Sequence, residues 1–205
     1  MKQSDAMMQW AGDNWLKRNK PDLGKRDPVS GMIEARQLIK PDNNILEIGC
    51  ANGWRLKKLQ DKYGCTVVGV DPSPLACAEA WQSFKIPVAK TIAAALPYDD
   101  ELFDVVIMGF CMWLTEPGEW LRNVAESDRV LKTGGLLIIH DYCEPRPMRC
   151  AYNYDEEASS QGGIWNYFFD WSKLWLAHPA YQTIHESMTE NREMVSVLRK
   201  GALFA

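Results

Sequence analysis

Two groups of residues in this chain are of types and spacings that can do chemistry. The first is Glu47-Ile48-Gly49-Cys50-Ala51-Asn52-Gly53, which joins a short apolar run to a segment carrying Leu56, Leu59 and Tyr63 at helical spacing. A glycine-bearing turn between a strand and a helix lets a ligand approach the backbone and meet the helix N-terminus. Asp71 closes the next apolar run, at about the 20-residue interval where a carboxylate accepts hydrogen bonds from ribose hydroxyls. The dinucleotide fingerprint GxGxxG, aligned on Gly49, needs glycine at positions 51 and 54, where the chain has Ala51 and Trp54. The GK[ST] of a P-loop is also missing. These residues point to a nucleoside that carries no pyrophosphate.

The second group is His140-Asp141, directly after the apolar run 136–139. Histidine is the natural general base near neutral pH, and the end of a parallel strand is where an open α/β sheet meets its ligand. Both residues are therefore catalytic candidates. Tyr152, Asn153, Tyr154 and Trp165 lie in an aromatic-rich stretch that follows, flanked by polar residues, as a cap over the reacting atoms, with Tyr152 and Tyr154 as further catalytic candidates and Asn153 and Trp165 as substrate-binding ones. Phe168, Phe169 and Trp175 read as core, and His178 and His185 as structural. Trp15 and Arg18 near the N-terminus can close the pocket from the other side, Arg18 as the partner of a carboxylate.

Elements must hold these groups in place. Residues 4–19 read as a helix interrupted by Gly12, 20–30 as a loop, and 29–39 as a helix ended by Pro41. Strands are expected at 44–48, 66–70, 86–89, 103–108 and 136–139, with Gly134-Gly135 as a turn. Helices follow Gly53, Ser73 and Trp120, so strands alternate with helices and imply a mostly parallel sheet covered on both faces. Runs such as Val105-Val106-Ile107-Met108 fit strands buried on both sides. After a helix near 171–177, the segments 181–186 and 194–199 read as a hairpin on the sheet edge.

Composition narrows the function classes. The 205 residues carry a net charge of −4 and 46% hydrophobic residues, enough for one globular domain without disulfides or metal. The acidic balance argues against a nucleic-acid partner. No apolar run is long enough for a membrane span, and the first ten residues lack the apolar core of a signal peptide. The six cysteines include no CxxC pair, so no metal site is expected. They fit small buried residues in a reducing, cytoplasmic setting.

Four motifs in order carry a family resemblance: Glu47 to Gly53, then Val70-Asp71, then Leu96-Pro97-Tyr98-Asp99-Asp100 before Phe103-Asp104, then Arg129 to Leu136. Together, over roughly residues 42–141, they resemble the class I S-adenosylmethionine-dependent methyltransferases. The resemblance implies a Rossmann-like α/β fold: a seven-stranded, mostly parallel sheet with its last strand antiparallel and an aromatic insert after the fifth strand. It implies one domain over 1–205, with an N-terminal helical cap at 1–40 and a substrate-cap insert at 143–171. Glu47, Gly49, Cys50, Ala51 and Gly53 would line the methionine portion of S-adenosylmethionine, and Asp71, Pro72 and Ser73 the ribose. Where many members carry an acidic residue for the adenine amino group, this chain has Ile92, so backbone groups around Ile92 and Ala93 would serve. Gly109 and Phe110 lie at the expected cofactor edge. The [DN]PP[YFW] motif of enzymes that methylate bases is missing there, which favours a small-molecule acceptor, with a sugar or another metabolite as the expectation. The outer segments are similar to those of methyltransferases associated with surface-polysaccharide genes. Two other readings keep the same cofactor: an enzyme that cyclises or cleaves S-adenosylmethionine itself, and a non-catalytic binding module.

Overall fold

A computed structural model of the protein describes residues 2–153 and 164–203. Its main sheet has seven strands in the order β3-β2-β1-β4-β5-β9-β8. They are β1 (Asn44–Ile48), β2 (Thr66–Asp71), β3 (Val88–Lys90), β4 (Phe103–Gly109), β5 (Leu131–Tyr142), β8 (Tyr181–Met188) and β9 (Glu193–Lys200). Strands β1 to β5 pair in parallel, whereas β9 runs antiparallel to both β5 and β8. This is the expected Rossmann-like sheet with its final strand reversed. Between β5 and the hairpin, β6 (Met148–Ala151) and β7 (Trp165–Phe168) form a separate antiparallel ribbon.

The central strands are apolar on both faces because both are covered. Leu46, Ile48, Val106, Met108, Leu137 and Ile139 enter one buried layer. Ile45, Val105, Ile107, Leu136 and Ile138 enter the opposite one, against α3 (Pro28–Arg36) and α4 (Trp54–Tyr63). The first layer is closed by α6 (Trp120–Val130), α7 (Ser172–Leu176) and the N-terminal segment. Phe168 and Phe169 pack against it, and Trp175 is fully buried with its indole N–H donating to Ser127 Oγ at 3.0 Å.

Several boundaries differ from the sequence expectation for local reasons. The helix α3 stops at Arg36, well before Pro41, because Gln37 takes φ 51° and Leu38 N–H bonds back to Ile33 O. Strand β3 begins at Val88 because Ile86 is buried in the helix layer, its N–H bonded to Ala80 O. Gly134-Gly135 is no turn: β5 starts at Leu131 and absorbs the pair as a register shift opposite β4.

Gly12 does not interrupt the N-terminal helix. The chain runs through α1 (Gln3–Ala6), a wider π turn (Met7–Ala11) and α2 (Gly12–Asn19). A Cβ at Gly12 would lie 3.2 Å from Ser73 Cβ and 2.7 Å from Met7 O, so glycine allows this helix to touch the start of α5 (Pro74–Glu79). Asp13 fastens the contact by accepting from Ser73 Oγ and from Leu75 N–H at 3.1 Å. Gln3 ties the other end, donating to Leu114 O and Trp165 O and accepting from Trp165 N–H. The N-terminal segment is thereby held over the carboxyl ends of β1 and β2.

Candidate active site

Strand order reverses between β1, which continues to β2 on one side, and β4 on the other. Such a switch point leaves a crevice at the carboxyl ends of the strands. Here it encloses a volume of about 80 Å³ that opens to solvent. Gly49, Asp71, Pro72, Ile92, Ala93 and Phe110 line it, and Met7, Gly12 and Trp15 of the N-terminal segment face them. Gly49 has φ 74°, and a Cβ there would stand 2.7 Å from Cys111 Cβ, so only glycine leaves this passage open. Ala51 (φ 49°) and Phe110 (φ 51°) also take the left-handed backbone that side chains rarely adopt.

Asp71 holds the glycine turn as well as facing the crevice. Its carboxylate accepts from Ala51 N–H at 2.8 Å and Ser73 N–H at 2.9 Å. Burial pushes its pKa up to about 6, against the opposing pull of those two hydrogen bonds. Behind the turn, Arg55 is buried between two carboxylates, donating to Glu47 Oε1 and to Asp27 Oδ1. Burial raises the Glu47 pKa despite this partner, and Glu47 Oε2 has no hydrogen-bond partner among the described residues.

A second cavity, of about 480 Å³, adjoins the first. Trp15 and Phe110 line both, so they form the partition. Trp54, Trp113 and Tyr142 line the second cavity, with Arg18, Lys25 and Arg26 among its remaining residues. Trp113 N–H donates to Phe110 O at 3.0 Å and its ring meets Tyr142 edge-on.

A family model described as "Methyltransferase domain" matches residues 46–139, which carry β1 through most of β5. Residues 46–139 therefore match a methyltransferase domain, and the chain shares the fold of solved S-adenosylmethionine-dependent methyltransferases. An uncharacterized protein of Haemophilus influenzae is 35% identical to this chain over 143 residues, 63% of the chain and 55% of that protein. The 2-methyl-6-phytyl-1,4-hydroquinone methyltransferase of a Synechocystis species is 28% identical over 78% of the chain and 48% of its own length. The chain thus spans about half the length of these curated relatives. The 1,6-didemethyltoxoflavin-N1-methyltransferase of Burkholderia thailandensis, solved with 1,6-didemethyltoxoflavin and S-adenosylhomocysteine bound, shares the fold. Its TM-score is 0.74 at 14% identity, covering 98% of this chain and 91% of that one. A tRNA N(3)-methylcytidine methyltransferase of Schizosaccharomyces pombe also matches, at 27% identity over 53% of the chain and 40% of its own length. The acidic composition therefore gives no ground for excluding nucleic acid from this family.

The crevice brings together Gly49, Asp71, Pro72, Ile92, Ala93 and Phe110, with Trp15 opposite. Cys50, Ala51, Gly53 and Ser73 shape its turn without lining it. The Ser73 hydroxyl caps α5 by accepting from Ala76 N–H, and Gly53 takes φ 75° at the start of α4. Glu47 is turned toward Arg55 instead of the crevice. Gly109 serves that pair too: a Cβ there would stand 2.7 Å from Arg55 Nη1.

The structure does not bring His140 or Asp141 to the crevice. His140 is 1% exposed, its ring against Phe110 and its Nε2 3.3 Å from Glu193 Oε2. Burial, with the Arg55 charge next, lowers its pKa to about 3, so it stays neutral. Asp141 is buried, accepting from the N–H groups of Met112, Trp113 and Tyr142. Burial raises its pKa to about 8.

Tyr152 is 2% exposed inside the hydrophobic layer, its hydroxyl accepting from Arg18 at 2.6 Å, and it lines neither cavity. The Trp165 ring lies under Arg149, 4.3 Å from the guanidinium carbon, again away from both cavities. Asn153 is exposed, and Tyr154 lies outside the described residues. Packing claims these aromatics because β6 and β7 lie beside the buried layer. Arg18 and Trp15 do stand at the second cavity. Sequence reasoning missed Met7, Thr91, Cys111 and Asn123 on the first cavity and Trp54, Arg26 and Tyr142 on the second. Only Trp54 left a sequence signal, as the bulky residue where a dinucleotide site needs glycine.

Proposed function

We propose that this chain transfers the methyl group of S-adenosylmethionine to a small-molecule acceptor, with cofactor and acceptor in the two adjoining cavities. The observation that carries this reading is the partition of Trp15 and Phe110, which gives two ligands neighbouring chambers at the switch point of the sheet.

The residues fit the cofactor. Gly49 leaves backbone exposed for the methionine portion. Asp71 offers a carboxylate to ribose hydroxyls, while Ile92 and Ala93 supply an apolar face for adenine. Bound there, S-adenosylmethionine supplies a methyl group activated by the sulfonium. The chain's own part is alignment and exclusion of water, which can lower the barrier without a protein base. Gly12 and Trp15 make the N-terminal segment, within residues 1–40, a cap over the crevice. The six cysteines, all free thiols, support a reducing, cytoplasmic setting. No helix among the described residues is long and apolar enough to cross a membrane.

Mass-spectrometric product analysis tests the reading. Incubation with S-adenosylmethionine and a panel of metabolites should yield S-adenosylhomocysteine only when an acceptor is present. Methylthioadenosine formed from the cofactor alone would replace methyl transfer by cyclisation or lysis.

A further inference from the structure

The first cavity has two carboxylates and no cationic side chain among its described lining residues. Asp71 marks one end, bonded to Ser73 N–H where Gly12 touches Ser73. Glu119 marks the other, its Oε1 accepting from Ser4 Oγ at 2.7 Å. From Ser4 to Gly12 the chain makes continuous helical turns, so the two ends are separated by roughly 12 Å. Glu119 is half-buried at the start of α6, and only its Oε1 has a hydrogen-bond partner among the described residues. Asn123, one turn on, is 1% exposed and lines the same cavity, with its amide nitrogen reaching no better acceptor than the Met112 thioether at 3.6 Å. The same helix runs alongside the segment after β3, where Glu126 accepts from Leu96 N–H at 2.8 Å. Spacings of four and three put Glu119, Asn123 and Glu126 on one face of the helix. Glu119 and Asn123 thus share the cavity with Ile92 and Ala93, whose side chains offer no acceptor.

Resting on the placement of S-adenosylmethionine in this cavity, we infer that Glu119 is the residue that selects adenine among purines. With the ribose hydroxyls at Asp71 and the ring against Ile92 and Ala93, the exocyclic amine points to the far end and donates to Glu119 Oε2. A donor on a carboxylate forms a charge-assisted hydrogen bond, stronger than a bond between neutral groups. A purine with a carbonyl in place of the amine would set one acceptor against another there, and such a mismatch is what discriminates between similar ligands. Ser4 holds the other oxygen, so the carboxylate is oriented before the ligand arrives and the N-terminal segment shares in the recognition. Glu119 lies at the end of the cavity away from the Gly49 turn and has no part in the transfer itself. Its role is specificity.

Calorimetry on the full chain tests this by comparing S-adenosylhomocysteine with S-inosylhomocysteine, in which a carbonyl replaces the amine. The parent chain should bind the adenosyl form at least about tenfold more tightly. Glu119→Gln presents an amide that can donate to the carbonyl as well as accept from the amine, so the preference should fall to within about twofold. Ser4→Ala, which removes only the orienting hydroxyl, should lower the preference several-fold. The ratio of the two affinities, measured on protein shown to be folded, does not respond to a general loss of stability, so it separates recognition from a structural role. Equal binding of the two ligands by the parent chain, or a preference of tenfold or more that survives in Glu119→Gln, would overturn the inference while leaving the cofactor reading standing. Failure of S-adenosylhomocysteine itself to bind the parent chain would overturn that underlying reading, and this one with it.

Discussion

Asp71 and Asp141 hold the same station in the sheet, one at the end of β2 and the other near the end of β5. Both are buried, both accept backbone N–H groups, and burial raises both pKa values, to about 6 and about 8. Yet Asp71 faces an open crevice, whereas Asp141 is spent on the 3-10 turn Met112–Leu114 and closed in beneath it. Chain position at a strand end is therefore not enough to make a ligand group. What decides is the segment that follows the neighbouring strand. After β1 the glycine turn leaves room, and after β4 Phe110, Met112 and Trp113 fill it.

Removing the sealed acid should have the largest effect. Asp141→Ala leaves the N–H groups of Met112, Trp113 and Tyr142 without their acceptor, and buried unpaired donors cost roughly 1–3 kcal/mol each. A loss of about 3 kcal/mol or more is expected in urea unfolding. A loss under about 1 kcal/mol would deny Asp141 its anchoring role.

His140, next along the same strand, should act through pH. Its folded pKa is depressed from 6.5 to about 3, so the stability it contributes is fully present above 6.5 and is lost as pH falls toward 3, where the unfolded chain alone has taken the proton. The slope reaches roughly 1.4 kcal/mol per pH unit. Comparing His140→Gln with the parent chain should reveal a difference in acid sensitivity of about 2 kcal/mol between roughly pH 6.5 and 4.5. Parallel stability curves would place the imidazole in contact with water.

Asp71 should act through pH on binding. As pH rises through about 6 its carboxyl ionises, and the ionised form is the stronger acceptor for ribose hydroxyls. Affinity for S-adenosylhomocysteine should increase about tenfold between roughly pH 5 and 7, and Asp71→Asn should flatten the profile. A flat profile in the parent chain would remove the carboxylate from the binding site.

Much of the first chamber was legible because its signals are local. The turn 49–53 and Asp71 follow from a glycine and an acid at strand ends. Arg129 ties the segment around Leu96 through the Leu96 and Tyr98 carbonyls, so two of the spaced motifs meet in space. The second chamber depends on meetings that spacing does not encode. Arg55 is buried because Asp27 and Glu47 converge on it from distant positions. Phe110 reaches both cavities because of a left-handed backbone conformation that no residue type announces. Tyr152 and Trp165 were not legible as packing residues because their polar neighbours in the sequence conceal the buried layer beside which they lie. The N-terminal segment took the capping place through Gln3 and Asp13, whose partners are remote in the chain.

Titration of S-adenosylhomocysteine into the parent chain, Asp71→Asn and Asp141→Asn, each shown to be folded, tests the contrast between the two strand ends most directly. Burial raises the Asp141 pKa to about 8 and so favours its neutral form at pH 7, which the amide mimics in charge. The account predicts micromolar binding to the parent chain, at least about tenfold weaker binding to Asp71→Asn, and binding within about twofold of the parent for Asp141→Asn. Equal affinity of the parent and Asp71→Asn, or an equal loss in both variants, would contradict it.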